Sequence, residues 1–309
     1  MKVARIIGII AAALVLGAAA FFLYEKKRTS KPQAVCCGTL EVYPEFESAI
    51  ISSRKVSVWL PDGYSVGDPC DVLYMHDGQM LFDSTATWNH QEWQVDEILS
   101  RLMDEKTIRR TIVVAIDNTP HRLKEYFPDK ACQGLDDLDA SELGGDNYLK
   151  FLVEEVKPFI DEHYQPMTDR EHTFIMGSSM GGLISLYGLC EYPEVFGGAA
   201  CLSSHVSMSH LKATKDTEAM ADSFLQYVAD HMPDANEARI YMDHGTEGFD
   251  SAYGPYQQRL DALFRERGWD ADHFKSLVFE GHDHNETCWA KRLAEPITYL
   301  LGTPGTCAN

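Results

Sequence analysis

The apolar positions of this chain fall into short runs that switch between two periods. Val56-Ser57-Val58-Trp59-Leu60 alternates as a strand does and stops at Pro61-Asp62-Gly63. Asp71-Val72-Leu73-Tyr74-Met75 is an apolar run that ends at His76-Asp77-Gly78. Thr111-Ile112-Val113-Val114-Ala115-Ile116 is apolar on both faces, rich in β-branched residues, and bounded by Asp117-Asn118. A strand buried on both faces implies a parallel sheet covered by helices. Residues 146–163 change to helical spacing, with Tyr148, Phe151, Leu152, Val156 and Phe159 on one stripe. Further strands are predicted at 172–176, 198–203, 238–242 and 275–279, and further helices at 180–191, 254–267 and 290–301. Strands alternating with helices from residue 41 onward predict an α/β domain built on a doubly wound, mostly parallel sheet. Residues 129–145 are polar, acidic and glycine-bearing, which predicts a surface loop near the site. No separate cap domain is expected.

One segment breaks this pattern. Residues 6–24 hold no charge and no proline, and about 20 apolar residues suffice to span a bilayer. Bulky Phe21-Phe22-Leu23-Tyr24 and the basic cluster after it favour an uncleaved anchor, while Ala18-Ala19-Ala20 is the competing cleavage signal of an export peptide. Basic residues flank both sides, so charge gives no orientation. The expected organisation is a membrane anchor or signal segment with its tether at 1–30 and a catalytic domain at 31–309. The expected location is exported: on the periplasmic or cell-surface face, membrane-associated through 6–24, or secreted if the segment is cleaved.

Charge sharpens the picture. The whole chain carries a net −20, yet residues 1–31 hold six basic residues against Glu25. The remainder is therefore more acidic still, which serves solubility and repels phosphate backbones, so a nucleic-acid partner is excluded. Oligomeric state is not legible. Eight cysteines stand at 36, 37, 70, 132, 190, 201, 288 and 307. None forms a C-x-x-C pair or a Cys/His zinc pattern, so no metal is expected. An even count beside an export segment permits disulfides, but Cys190 and Cys201 read as buried thiols.

The chemistry centres on Phe174-Ile175-Met176-Gly177-Ser178-Ser179-Met180-Gly181-Gly182. This is G-x-S-x-G with a strand-like run before it and a helix-like run after it, the context of an α/β-hydrolase nucleophile elbow, and the spacing centres it on Ser179. A serine hydroxyl needs a base to take its proton. In this fold the acid and then the His follow the Ser in the chain. His282 and His284 both lie in the loop after the strand at 275–279. Asp243, Glu247 and Asp250 compete for the acid after the strand at 238–242. One oxyanion donor is the backbone N–H of Met180, and the other is expected from His76-Asp77-Gly78-Gln79, at Gln79, with Gly78 allowing the close approach.

The sequence resembles the putative-esterase family of α/β hydrolases, which includes esterase D-type, enterochelin-esterase-like and feruloyl esterases and mycolyltransferases. The resemblance runs from about residue 41 to 301. It rests on VWLP at 58–61, LYMHDGQMLFD at 73–83, WQVDEIL at 93–99, VVAIDNTPHRLKEYFP at 113–128, GSSMGGLISLYGLCEYPEVFG at 177–197, HGTEGFD at 244–250 and GHDHNETCW at 281–289. It implies Ser179 as nucleophile. It implies His284 rather than His282, because the family places a Trp five residues after the catalytic His, as Trp289 stands here. It implies Asp250 as the acid, with Glu247 as the alternative, and Gln79 and Met180 as backbone oxyanion donors. Asn118, Arg122 and Tyr126 resemble substrate-binding residues of the family, their structural role being loop anchoring. Trp93 is expected to pack; His205, in the loop after the strand at 198–203, either lines the pocket or lies at the surface, the surface being the expected place.

These readings imply a serine esterase with an acyl-enzyme on Ser179, acting on a small-molecule ester without a cofactor. An acyltransferase differs only in the acceptor of the acyl group. A non-catalytic hydrolase-fold binding protein usually lacks one of the residues that are intact here.

Overall fold

The computed structural model describes residues 33–132, 143–208 and 216–303. Most of the tether, the acidic tract at 133–142 and the expected anchor at 6–24 lie outside these residues. No helix among the described residues is long and apolar enough to cross a membrane.

Eight strands are present: β1 (Thr39–Phe46), β2 (Arg54–Leu60), β3 (Asp71–His76), β4 (Thr111–Ile116), β5 (Thr173–Ser178), β6 (Gly198–Leu202), β7 (Arg239–Gly245) and β8 (Phe274–Phe279). They form one open sheet in the order β1-β2-β4-β3-β5-β6-β7-β8. β1 pairs antiparallel with β2 and β2 antiparallel with β4, and every other pairing is parallel.

The covering helices are α1 (Val95–Asp104), the one-turn α2 (Arg122–Glu125), α3 (Gly145–Phe151), α4 (Lys157–Tyr164), α5 (Met180–Glu191), α6 (Thr217–His231), α7 (Gly254–Glu266), α8 (Glu286–Arg292) and α9 (Ala294–Leu301). The helix expected at 146–163 runs as α3, a π-helical turn at Leu152–Val156, and α4. The helix expected at 290–301 divides into α8 and α9. Pro296 lacks an N–H and fits only a first turn, so a second helix starts at Ala294. Three helices were not anticipated, α1, the one-turn α2 and α6. In α6, Met220, Ala221, Phe224, Tyr227 and Val228 are buried at helical spacing.

The period of two sorts side chains onto two cores. Val72 and Tyr74 of β3, with Ile112, Val114 and Ile116 of β4, face one layer together with Tyr148, Phe151 and Phe224. Leu73, Met75, Val113 and Ala115 face the other, with Leu99, Trp289 and Leu300. Both faces of the central strands are dry, so their carboxyl ends and the loops leaving them are where polar chemistry is free to gather.

Candidate active site

β5 ends at Ser178, and the chain turns abruptly into α5. Ser179, at the turn, has φ 59° and ψ −123°. A non-glycine residue with positive φ is strained and persists only where its surroundings hold it. Here its N–H donates to Leu202 O at 2.9 Å, and its carbonyl accepts the N–H of His205 at 3.2 Å. Gly177 permits the tight turn, since a Cβ there would come within 2.8 Å of the Gly181 backbone and 2.9 Å of His76 Cδ2. Ser178 is buried in the strand, whereas Ser179 is half-buried. Met180 is the first residue of α5, so its N–H is among those that a helix leaves without an internal partner.

His284 sits on the loop between β8 and α8. His284 Nδ1 lies 2.6 Å from Asp250 Oδ1. Burial works to raise the Asp250 carboxyl, but hydrogen bonds from His284, Ser203 and Gly245 outweigh it and hold the group below the ordinary carboxylate range. An ionised Asp250 only accepts, so Nδ1 carries the imidazole proton and Nε2 is left free to take one. The second oxygen, Oδ2, accepts Ser203 Oγ–H at 2.6 Å and Gly245 N–H at 2.7 Å. Ser203 Oγ in turn accepts from Trp289 Nε1 at 3.0 Å and Arg292 at 2.8 Å. Trp289 also packs edge-on against the His284 ring at 5.0 Å. One tryptophan thus orients both the imidazole and the serine behind its acid.

The structure separates the competing candidates. Asp243 is wholly buried, bound to Arg292 at 2.9 Å and to Tyr241 Oη at 3.0 Å, and has no hydrogen bond to His284. Burial raises its carboxyl to about 6 against the pull of Arg292. Glu247 is exposed, and its backbone N–H donates to His282 O at 3.0 Å. His282 lies against the Phe279 ring and 3.4 Å from Arg292, turned away from Asp250.

Asp77, at φ 57°, shapes the loop that carries Gln79. A Cβ on Gly78 would stand 2.8 Å from the backbone of Ala115 and Ile116, so only glycine lets the loop lie on β4. Asn118, Arg122 and Tyr126 all converge on Asp77. Arg122 binds its carboxylate in a fork at 2.6 and 2.8 Å, Asn118 Nδ2 donates at 2.5 Å, and the Asp77 N–H donates to Tyr126 Oη at 3.3 Å. Asn118 N–H also donates to Gln79 Oε1 at 3.1 Å. Despite burial, Arg122 and Asn118 hold the Asp77 carboxyl below its usual range. These contacts anchor the loop from beneath, and Tyr126 is fully buried.

Two residues enter the site without a sequence signal. Tyr253, three positions after Asp250, has its hydroxyl close to the Ser179 side chain and stands edge-on to His284 at 5.5 Å. Its hydroxyl also meets His205 Nδ1 at 2.6 Å. His205, expected at the surface, is buried to 6% exposure because the elbow and Tyr253 close over it. No hydrogen bond joins Ser179 to His284 among the described residues. Trp93 packs on Trp289 at 5.3 Å, and Cys190 and Cys201 are buried free thiols, both as expected.

A concavity of about 970 Å³ lies elsewhere. Arg239, Asp270, Phe274, Lys275 and Tyr299 line it at the amino ends of β7 and β8, and it contains no nucleophile–base pair.

Comparison with known proteins is consistent with this arrangement. The model of the family described as "Putative esterase" matches residues 48–299. A siderophore enterobactin esterase of Emericella nidulans is 28% identical over 153 residues, which is 45% of this chain and 47% of that protein. A solved ferulic acid esterase superposes with a TM-score of 0.63 at 19% identity, covering 85% of this chain and 98% of its own. An IroE-like serine hydrolase from Shewanella oneidensis superposes at 0.64 and 18% identity, covering 85% and 80%.

Proposed function

The chain belongs to the Putative esterase family and is a carboxylic ester hydrolase, and from that premise we propose that it works through an acyl-enzyme on Ser179 with His284 and Asp250. The observation that carries this reading is the 2.6 Å pair of Asp250 and His284 held beside a serine in a strained strand-to-helix turn.

The steps follow from the atoms. Ser179 Oγ attacks the ester carbonyl while His284 Nε2 takes its proton. Asp250 keeps Nδ1–H in place and stabilises the imidazolium. The carbonyl oxygen gains charge and rests on the N–H groups of Met180 and Gln79, at the positive end of α5. The carbon–oxygen ester bond breaks, and His284 gives its proton to the leaving alcohol. Water, deprotonated by His284, then releases the acid and restores Ser179. To begin, Ser179 turns its hydroxyl to His284; such pairs are often loose before substrate arrives. Asn118, Arg122 and Tyr126 act by fixing the Gln79 loop through Asp77.

The substrate class follows from the rim. Phe249 is 60% exposed and stands edge-on to His284 at 5.9 Å. An exposed aromatic beside the base favours an ester bearing an aromatic ring. The relatives named as enterobactin and ferulic acid esterases point the same way. The enzyme acts outside the cytoplasm, held by residues 6–24; fractionation that recovers it in the cytosol would refute this.

The test is hydrolysis of p-nitrophenyl acetate and methyl ferulate by the protein and by Ser179→Ala. Activity lost in the variant, with methyl ferulate the better ester by kcat/KM, supports both parts. Equal activity in parent and variant refutes the nucleophile, and a preference for the acetate refutes the aromatic substrate.

A further inference from the structure

The segment from Gln33 to Cys37 lies across the site loop and ends on the first turn of α1. Gln33 Nε2 donates to Gln79 O at 3.0 Å, Ala34 N–H to Asp83 Oδ2 at 3.0 Å, and Cys36 N–H to Asp96 Oδ2 at 2.7 Å. Trp59 Nε1 closes the strap by donating to Cys37 O at 2.8 Å. These bonds account for the backbone and leave an unusual group of side chains.

Asp96 is 0% exposed, and its other oxygen, Oδ1, has no hydrogen-bond partner among the described residues. Glu97 Oε2 is likewise buried without one. Among the described residues no Lys, Arg or His nitrogen lies within 4.0 Å of either carboxylate, whereas the buried acids Asp71, Asp77 and Asp243 each face an arginine. One ligand atom from each of Cys36, Asp96 and Glu97 lies within 4.8 Å of the other two. Cys37 Sγ stands 3.0 Å from Cys36 Sγ. Two desolvated carboxylates without a counter-charge are costly unless a proton or a cation lies between them. Burial and Asp96 push the Glu97 carboxyl up to about 7, and Cys37, burial and both carboxylates push the Cys36 thiol up.

We propose that Cys36, Asp96 and Glu97 form a binding site for one divalent transition-metal cation of the Zn²⁺ class, with Cys37 or solvent in the fourth position. The thiolate selects against Mg²⁺ and Ca²⁺, and the two carboxylates suit a borderline ion such as Zn²⁺ better than a soft one such as Cu⁺. Cys36 is exposed, so ions and a solvent ligand reach it. The ion staples the strap to α1, and through Gln33 the strap bears on the Gln79 loop. The inference stands on these residues alone and needs no esterase activity.

The test uses the full chain, reduced and freed of metal with a chelator. Co²⁺ is titrated as a spectroscopic probe and then displaced with Zn²⁺. The expected result is one equivalent of Co²⁺ with a thiolate-to-cobalt charge-transfer band, displaced by Zn²⁺. Cys36→Ser removes the band and weakens Zn²⁺ binding at least tenfold. Glu97→Gln keeps the band and weakens binding at least tenfold. Cys288→Ser, at a half-buried thiol outside the group, changes neither. Absence of stoichiometric binding overturns the proposal, as does binding without a thiolate band. It is overturned equally if Cys36→Ser and Glu97→Gln, both melting as the parent does without metal, bind as tightly as the parent.

Discussion

Replacing Asp250 by Asn tests the site most sharply, because the structure dictates which way the new amide would face. Oδ2 accepts two hydrogen bonds, from Ser203 Oγ and Gly245 N. Ser203 Oγ already accepts from Trp289 and Arg292, so its own proton has to go to residue 250. An amide NH₂ on that side would meet donors only. In Asp250→Asn the carbonyl oxygen therefore keeps the Ser203 side, and the NH₂ faces His284 Nδ1. Nδ1 must then accept, the imidazole proton moves to Nε2, and the nitrogen that should take the serine proton is blocked. In serine proteases the equivalent exchange lowers kcat about 10⁴-fold, or about 5.5 kcal/mol of transition-state stabilisation. A loss of about 10³–10⁴ in kcat/KM on p-nitrophenyl acetate is expected here, with the melting temperature retained because every donor around Oδ2 keeps an acceptor. Glu247→Gln, on an exposed side chain, should stay within about twofold of the parent. Asp243→Asn should lower stability through the buried Arg292 more than it lowers kcat. A folded Asp250→Asn enzyme within about tenfold of the parent, or a larger loss in Glu247→Gln, would refute the assignment of the acid.

Two further outcomes are expected. Tyr253→Phe removes a hydroxyl beside Ser179 that the serine must turn from before attack, so kcat should not fall, read from steady-state kinetics; a large fall in kcat would show that the hydroxyl acts in the transition state instead. His76 is wholly buried, with burial lowering its pKa from 6.5 to about 3 against the pull of Asp77. The unfolded chain takes up a proton that the folded one refuses, so stability falls as pH drops below about 6.5 and keeps falling to about 3. Relative to His76→Asn, the parent should lose about 2 kcal/mol between pH 6.5 and 5 in urea unfolding. Equal losses in both proteins would contradict a neutral buried His76.

Much of the architecture was written in local pattern. The doubly buried run at 111–116 and the strand–turn–helix around Gly177 and Ser179 are local facts, since period and backbone sterics act between near neighbours. So the sheet, the elbow and the loop holding His284 were legible in the chain. The resemblance of whole segments supplied Asp250 and His284, which spacing alone left level with Asp243, Glu247 and His282. What separates these candidates in three dimensions is non-local: Arg292 claims Asp243 across 49 positions, and Ser203 backs Asp250 across 47. Tyr253 and His205 carried no signal either, because a tyrosine and a histidine gain their meaning only when β6 and the turn before α7 bring both beside Ser179. Asn118, Arg122 and Tyr126 show the same limit, for nothing in their spacing shows that all three meet at Asp77. Hydrogen-bond partners and burial are properties of the packed chain, and only tertiary structure decides which polar groups lie within 3 Å of one another in a dry interior.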